Sequence, residues 1–139
     1  MDIKEALENY NNYNVKIAII ENDIFKLNEE VIECRSSNLD GMPKPKGYVE
    51  SSFENQIVRK LDKIKELEKE KQELKLEISI IDKLITTLKK NTQEIIRMRY
   101  IEKSTIEYIA DKKDRTYRAI SSILSKALQE MQLQYEKSS

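Results

Sequence analysis

The sequence predicts an all-α protein, in which a long antiparallel helical hairpin precedes a small unit of three short helices. Charged residues make up 36% of the 139-residue chain and hydrophobic residues 39%, while glycine and proline occur only twice each. Helix formers therefore dominate and helix breakers are scarce. Apolar residues also recur at alternating spacings of three and four along two long stretches, which is the heptad pattern of packed helices.

The first 35 residues predict one long amphipathic helix with a coiled-coil-like seam. The seam is formed by Ile3, Ala6, Tyr10, Tyr13, Ile17, Ile20, Ile24, Leu27, Val31 and Cys34. Four asparagines between positions 9 and 14 lower the helix propensity near its start.

A loop is predicted over residues 36–52, because Gly41, Pro43, Pro45 and Gly47 fall within seven residues of each other. Ser51 or Ser52 is expected to cap the helix that follows.

A second heptad pattern predicts a helix of about 38 residues, roughly 57 Å long. Its seam residues are Ile57, Ile64, Leu67, Lys71, Leu74, Ile78, Ile81, Ile85 and Leu88. Joined by the loop, the two helices form a hairpin, and each is longer than a two-helix contact buries comfortably. We therefore expect a homodimer, with a monomeric hairpin docked on the C-terminal part as the alternative.

Three short helices are predicted after Leu88, where the register changes. Thr92 is expected to cap the first, which ends near residues 102–104, and Ser104 or Thr105 caps the second. The third begins near residues 114–116 and repeats apolar residues at helical spacing. We accordingly divide the chain into a hairpin at residues 1–90, for dimerisation or partner binding, and a small domain at residues 91–139.

Within that small domain, the segment STIEYIADKKDRTYRAISSILSKAL, from Ser104 to Leu128, resembles the helix-turn-helix of sigma-factor region 4. The preceding segment 94–102 is similar to the helix that leads into it, with Arg99, Tyr100 and Glu102 at the family's positions. The loop Asp40-Gly-Met-Pro-Lys44 and its two long flanking helices resemble phage regulators of the RinA and ArpU type.

The resemblance implies a DNA-binding helix-turn-helix, with Ala110 as the small residue where its two helices meet. Apolar anchors are expected at Ile106, Ile109, Ile120 and Leu124. The family usually carries Leu-Gly-Ile through the turn, whereas this chain carries Lys113, Asp114 and Arg115. Aspartate tolerates left-handed backbone geometry better than most residues, so the turn is expected to form.

By the same resemblance, the recognition helix begins around Thr116 and presents its early outward residues to the major groove. The candidates for base contacts are Thr116, Tyr117, Arg118, Ser121 and Ser122. Arg118 is the strongest of them, because a guanidinium can form two hydrogen bonds with guanine. The candidates for phosphate contacts, which set affinity without reading sequence, are Lys112, Lys113, Arg115 and Lys126. Alternatively, these are ordinary surface charges.

Charge is distributed in a way that agrees with an anionic partner at the C-terminal part. From Lys89 onward there are eleven Lys and Arg against seven Asp and Glu, which leaves fourteen against eighteen in residues 1–88.

There is no histidine and only one cysteine, Cys34, which is expected to be a small core residue. No catalytic pair, phosphate-binding glycine loop, metal set or cofactor site is evident, so an enzyme is not expected.

The sequence therefore predicts a cytosolic transcription regulator that binds double-stranded DNA. The phage resemblance further implies an activator of late genes that acts beside host RNA polymerase. A complete sigma factor is not expected, because long heptads replace the aromatic and basic segment that melts promoters.

Two alternatives are a phage packaging component such as a small terminase subunit, and a coiled-coil adaptor that binds only protein. A dimer favours the regulator and a ring of eight or more copies favours packaging. No apolar run is long enough for a membrane span.

Overall fold

The structure, a computed structural model, describes residues 2–39 and 49–138, with side chains for residues 2–35 and 53–138. Those residues form helices and connecting turns without a strand, which confirms the all-α prediction. The elements are α1 (Ile3–Glu8), α2 (Tyr10–Leu39), α3 (Val49–Thr86), α4 (Lys90–Ile96) with a π-helical continuation (Arg97–Ile101), α5 (Ile106–Lys112) and α6 (Tyr117–Ser138). No helix in the described ranges has the length and apolarity to cross a membrane.

The chain divides into two compact units, one of which is the helix pair from Val15 to Leu74. In this unit Ile20, Ile24 and Ile64 form a small buried cluster. Lys60 Nζ lies 3.4 Å from Glu30 Oε2 and 3.9 Å from Cys34 Sγ. Residues late in α2 therefore face residues early in α3, so the two helices run antiparallel as predicted.

Heptad positions explain which side chains of this pair are covered. Ile17, Ile20, Ile24, Leu27, Val31 and Cys34 are all buried or half-buried, and so are Ile57, Ile64, Leu67, Lys71 and Leu74. A period-3.5 pattern therefore identified the facing sides of both helices correctly. The helix pair is supported by few fully buried residues, since most seam positions remain partly exposed.

The other unit comprises the chain up to Asn14 together with residues from Lys75 onward. Its core contains side chains from the end of α3, from α4 and from the two helices that follow. The buried set includes Ile3, Leu7, Ile81, Ile85, Leu88, Ile95, Ile96, Tyr100, Ile109, Ile120, Leu124 and Met131. The three predicted helices are present, but the third, α6, has 22 residues and is not short as predicted. They also share their core with α1 and with the last turns of α3.

The prediction of one continuous first helix is wrong at Asn9. There the backbone leaves the helix (φ −93°, ψ 1°), which separates α1 from α2. Asn12 Nδ2 lies 3.3 Å from Asn9 Oδ1, and asparagine favours such local bonds over a continuous helix. The break frees α1 to pack Ile3, Ala6 and Leu7 against α6 and the π-helical segment.

The predicted loop is shorter than residues 36–52, because α2 extends to Leu39 and α3 begins at Val49. Every glycine and proline of this region lies at 41–47, so the residues on either side are compatible with helix. Residues 40–48, including the Gly-Met-Pro segment, lie outside the described residues, as do the side chains of Ser51 and Ser52. The predicted length of the second helix is confirmed, since α3 has 38 residues.

Thr92 does not cap the first short helix, which begins at Lys90 after Lys89 in an extended conformation. Instead, Gln93 Nε2 donates to the carbonyl of Leu88 at 2.8 Å and approaches that of Thr86 at 3.4 Å. These bonds satisfy carbonyls released where α3 ends and fix the sharp connection to α4.

Candidate nucleic-acid interface

The two helices α5 and α6 are joined by a short turn whose backbone is fixed by hydrogen bonds. The N–H of Arg115 donates to the carbonyl of Ala110 at 2.9 Å, and that of Lys113 donates to Ile109 at 2.9 Å. Asp114 adopts the left-handed conformation (φ 54°). Aspartate is among the few residues other than glycine that reach this region at moderate cost. The expectation that Asp114 maintains the turn is therefore confirmed.

Side-chain caps begin both helices of this motif. The hydroxyl of Thr105 accepts a hydrogen bond from Tyr108 N–H at 3.1 Å, and that of Thr116 accepts from Ala119 N–H at 3.1 Å. Each cap satisfies a backbone donor that the helix cannot pair internally. Of the two caps expected for α5, Thr105 is the one used.

Apolar anchors hold α5 against α6 as the sequence predicted. Ile109, Ile120 and Leu124 are buried, and Ala110 is almost completely covered. Ile106 is partly buried against the same core. Because Ala110 has only a methyl group, the backbones of the two helices approach closely, which gives the motif its fixed geometry.

The segment that leads into α5 ends in a π-helical turn, and hydrogen bonds fix the chain where it leaves this turn. The N–H of Glu102 donates to Arg97 at 2.9 Å and that of Ser104 donates to Met98 at 2.9 Å. Arg99 Nη1 in turn donates to the carbonyl of Ser104 at 3.0 Å, so the guanidinium fixes the chain immediately before the Thr105 cap. Tyr100 is buried, and this burial raises the pKa of its hydroxyl.

Helix α6 has two opposite faces at its start. Its buried face consists of Ile120, Leu124, Ala127 and Met131, spaced by three and four. The other side forms a shallow concave surface, lined by Tyr117, Arg118, Ser121, Ser122 and Ser125. We refer to these five residues as the α6 outer surface.

Four of the five residues predicted for base contacts lie together on this surface. Tyr117, Arg118 and Ser122 are exposed, whereas Ser121 is half-buried. Small serine side chains next to one arginine leave room for the helix backbone to approach a partner closely, while the longer side chains reach further. Ser125 was missed, although it stands four residues after Ser121 on the same face.

Thr116 has a different position from the other four. It precedes α6, and its hydroxyl oxygen is used as the helix cap. A threonine hydroxyl can still donate its hydrogen while it accepts one. A contact between Thr116 and an acceptor therefore remains compatible with the cap.

The basic residues predicted to contact phosphates are arranged unequally. Lys112, Arg115 and Lys126 are exposed on α5, on the turn and on α6. Lys112 Nζ lies 5.6 Å from the centre of the Tyr108 ring, within range of a cation–π interaction. These three cations are accessible to an anionic partner.

Lys113 is engaged within the protein instead. Its ammonium forms a short ion pair with the carboxylate of Glu94 on α4. The hydrogen bond from Lys113 and its charge lower the pKa of Glu94 below the ordinary value of 4.5. A phosphate contact by Lys113 would therefore compete with this pair, which fixes the turn to α4.

No metal site accompanies this surface within the described part of the chain, where no group of three or more Cys, Asp or Glu side chains is placed to hold an ion. The arrangement offers hydrogen-bond donors and positive charge around one exposed helix start. Such a surface suits recognition of a grooved, anionic polymer.

Comparison with known families identifies the motif. Residues 84–132 match the family Sigma-70, region 4. The C-terminal part of the chain therefore contains a helix-turn-helix that is similar to region 4. The match begins at Leu84, so it includes Leu84 and Ile85 at the end of α3 and Leu88 just after it, all of which lie in the core. No curated protein and no solved structure matches the chain.

Proposed function

We propose that this protein is a sequence-specific transcription regulator that reads double-stranded DNA with the α6 outer surface. The observation that carries the proposal is the position of that surface: it occupies the start of the second helix in a motif that matches region 4. In helix-turn-helix proteins this helix enters the major groove and its early residues contact base edges. Arg118 is assigned to guanine and Tyr117, Ser121 and Ser122 to neighbouring contacts.

Lys112, Arg115 and Lys126 are assigned to the phosphate backbone on either side of the groove. Their charges are exposed, and ion pairing with phosphate releases condensed counterions, which makes affinity fall as salt rises. Lys113 is assigned the same role, with the condition that it first leaves Glu94.

The rest of the proposal concerns the biological setting. Residues 1–90 serve dimerisation or partner binding and residues 91–139 bind DNA, so that a homodimer recognises two half-sites. The protein acts with host RNA polymerase on the late genes of a phage and is cytoplasmic. The match to region 4, a domain of transcription factors, supports a role in transcription. The similarity of the loop and long helices to RinA and ArpU regulators supports the phage assignment.

The experiment that tests DNA binding is a titration of the full chain with mixed-sequence duplex at several salt concentrations. Wild-type affinity should fall steeply as salt rises, and Lys126→Ala should reduce the slope of log affinity against log salt by about 1. Lys137→Ala, which removes another exposed lysine near the far end of the same helix, is the matched control and should leave the slope unchanged.

Two results would contradict the proposal. One is the absence of salt-sensitive binding in the wild-type chain at low salt. The other is an equal loss of slope for Lys126→Ala and Lys137→Ala, because that would indicate diffuse attraction to the whole protein instead of contacts around α6.

A further inference from the structure

The α2 helix carries a second apolar face that remains exposed within the described part of the chain. Exposed fractions are 57% for Val15, 55% for Ile19, 63% for Phe25 and 58% for Ile32. Together these side chains expose roughly 400 Å² of apolar surface, comparable with the largest patch on a typical monomer. Patches of this size commonly mark interaction sites.

Val15, Phe25 and Ile32 follow a heptad of their own, and Ile19 borders it at position e. With Val15 at position a, the a positions are Val15, Asn22 and Glu29, and the d positions are Ala18, Phe25 and Ile32. The buried face of α2, at Ile20, Ile24 and Val31, points to the opposite side of the helix. We call the a and d residues of this second register, together with Ile19, the α2 outer face.

The sequence pattern of the α2 outer face indicates that the α2 helix of a second copy covers it. Asn22 occupies a central a position, and a single asparagine there favours a parallel dimer in one register, at some cost in stability. A pair of copies would cover roughly 800 Å² of apolar side chain. With flanking polar residues, this reaches the order of 1,000 Å² that a specific interface needs.

Flanking charges agree with a parallel pair. In the second register Glu21 is at position g and Lys26 at position e, so each glutamate faces the lysine of the other copy. Glu21 already interacts within its own chain, but a carboxylate can accept from more than one donor. Glu29 opposes association, because a parallel pair places two copies of it side by side.

We propose that the α2 outer face is the homodimer interface, with two copies of α2 packed in parallel. This inference rests on the homodimer in the proposed function and assigns that homodimer a surface and an orientation. Because Glu29 is unfavourable and Asn22 is polar, the dimer forms reversibly with moderate affinity.

The test is sedimentation equilibrium of the full chain over a range of concentrations. The double variant Phe25→Glu, Ile32→Glu should raise the dimer dissociation constant by roughly 100-fold or more, since it places charges against an apolar seam. Leu76→Glu is the matched control: Leu76 on α3 is 62% exposed and lies outside the α2 outer face, so this variant should dimerise like wild type.

A variant that strengthens the dimer shows that changes in affinity arise at the interface and not from misfolding. Glu29→Leu removes the like-charge contact and should lower the dissociation constant by roughly 10-fold or more. A wild-type chain that remains monomeric or forms a ring of eight or more copies would overturn the proposal. So would a double variant that dimerises normally.

Orientation is tested by disulfide formation in the background Cys34→Ser. Ile32→Cys should cross-link two copies under mild oxidation, because parallel d positions face each other across the seam. In an antiparallel pair centred on Asn22 and Phe25, the two copies of residue 32 would be more than 20 Å apart, and no cross-link would form. Salt-sensitive binding of mixed-sequence duplex by a wild-type chain that remains monomeric would leave the DNA-binding proposal standing while the dimer proposal failed.

Discussion

At the scale of single residues, the turn between α5 and α6 shows how polar side chains replace the apolar residues usual in the family. Asp114 supplies the left-handed backbone conformation, and Lys113 fixes the turn through Glu94 instead of through apolar packing. Glu94 is exposed, so solvent screens the pair and its contribution to stability is small. The main effect of the pair is to orient the turn relative to α4.

The Glu94–Lys113 pair predicts a specific dependence on pH. The pKa of Glu94 is lowered in the folded chain, so the pair stabilises the fold above the ordinary pKa of 4.5, and this contribution is lost as pH falls through the folded value. Glu94→Gln should therefore lower the melting temperature near neutral pH and have no effect in strong acid, where wild-type Glu94 is protonated.

Thermal melts of wild type and Glu94→Gln across this range provide the measurement. Glu107→Gln is a useful control, because Glu107 is an exposed glutamate on α5, whereas Lys113 pairs with Glu94. A difference between wild type and Glu94→Gln that persisted unchanged in strong acid would show that the carboxylate acts by something other than its charge.

At the scale of elements, α1 is an integral part of the unit that contains the helix-turn-helix. Ile3 and Leu7 are fully buried. The N–H of Ile3 donates to Gln132 Oε1 on α6 at 3.1 Å, and Lys103 Nζ donates to the carbonyl of Glu8 at 2.8 Å. The first helix therefore supports α6 and also the exit from the π-helical turn.

Leu7→Ala tests this role of α1. Removal of a fully buried leucine side chain should reduce the free energy of unfolding by about 2–5 kcal/mol. Lys4→Ala, which changes an exposed side chain of the same helix, should change it by less than about 0.5 kcal/mol. Urea denaturation followed by circular dichroism measures both, and equal effects for the two variants would contradict the packing of α1.

The same elements show what periodicity could and could not predict. Spacings of three and four identified the covered faces of α2 and α3, because burial on one side of a long helix leaves that signal directly in the sequence. Ile3 and Ala6 continued the same pattern, so the break at Asn9 was not predicted. Their true partner, α6, is more than 110 residues away, and local spacing contains no information on such a contact.

Part of the candidate interface was accessible from sequence for a different reason. Tyr117, Arg118, Ser121 and Ser122 were placed by resemblance to a known motif, and their common face follows from helical geometry. The engagement of Lys113 was not predictable, because it depends on Glu94, which a tight turn brings near from another helix. Charge alone does not distinguish a cation that is free from one that is paired.

At the scale of the whole molecule, the proposals assign separate tasks to opposite faces of α2. One face packs on α3 within the chain, and the α2 outer face is assigned to a second copy. Two DNA-reading units in one dimer would match operators with repeated half-sites, whose spacing of roughly 34 Å or a multiple follows from the helical repeat of DNA. Association and DNA reading then depend on different surfaces and can be altered independently.

The central claim, that α6 reads DNA sequence through Arg118, is tested most directly by selection from a pool of random duplexes with wild type and Arg118→Ala in parallel. Wild type should enrich one motif that contains a guanine. Arg118→Ala should lose preference at that guanine, at a cost of roughly 1–3 kcal/mol in affinity for the selected site, while it retains salt-sensitive binding to mixed DNA. Enrichment of no motif by wild type, or of an unchanged motif by Arg118→Ala, would contradict the assignment.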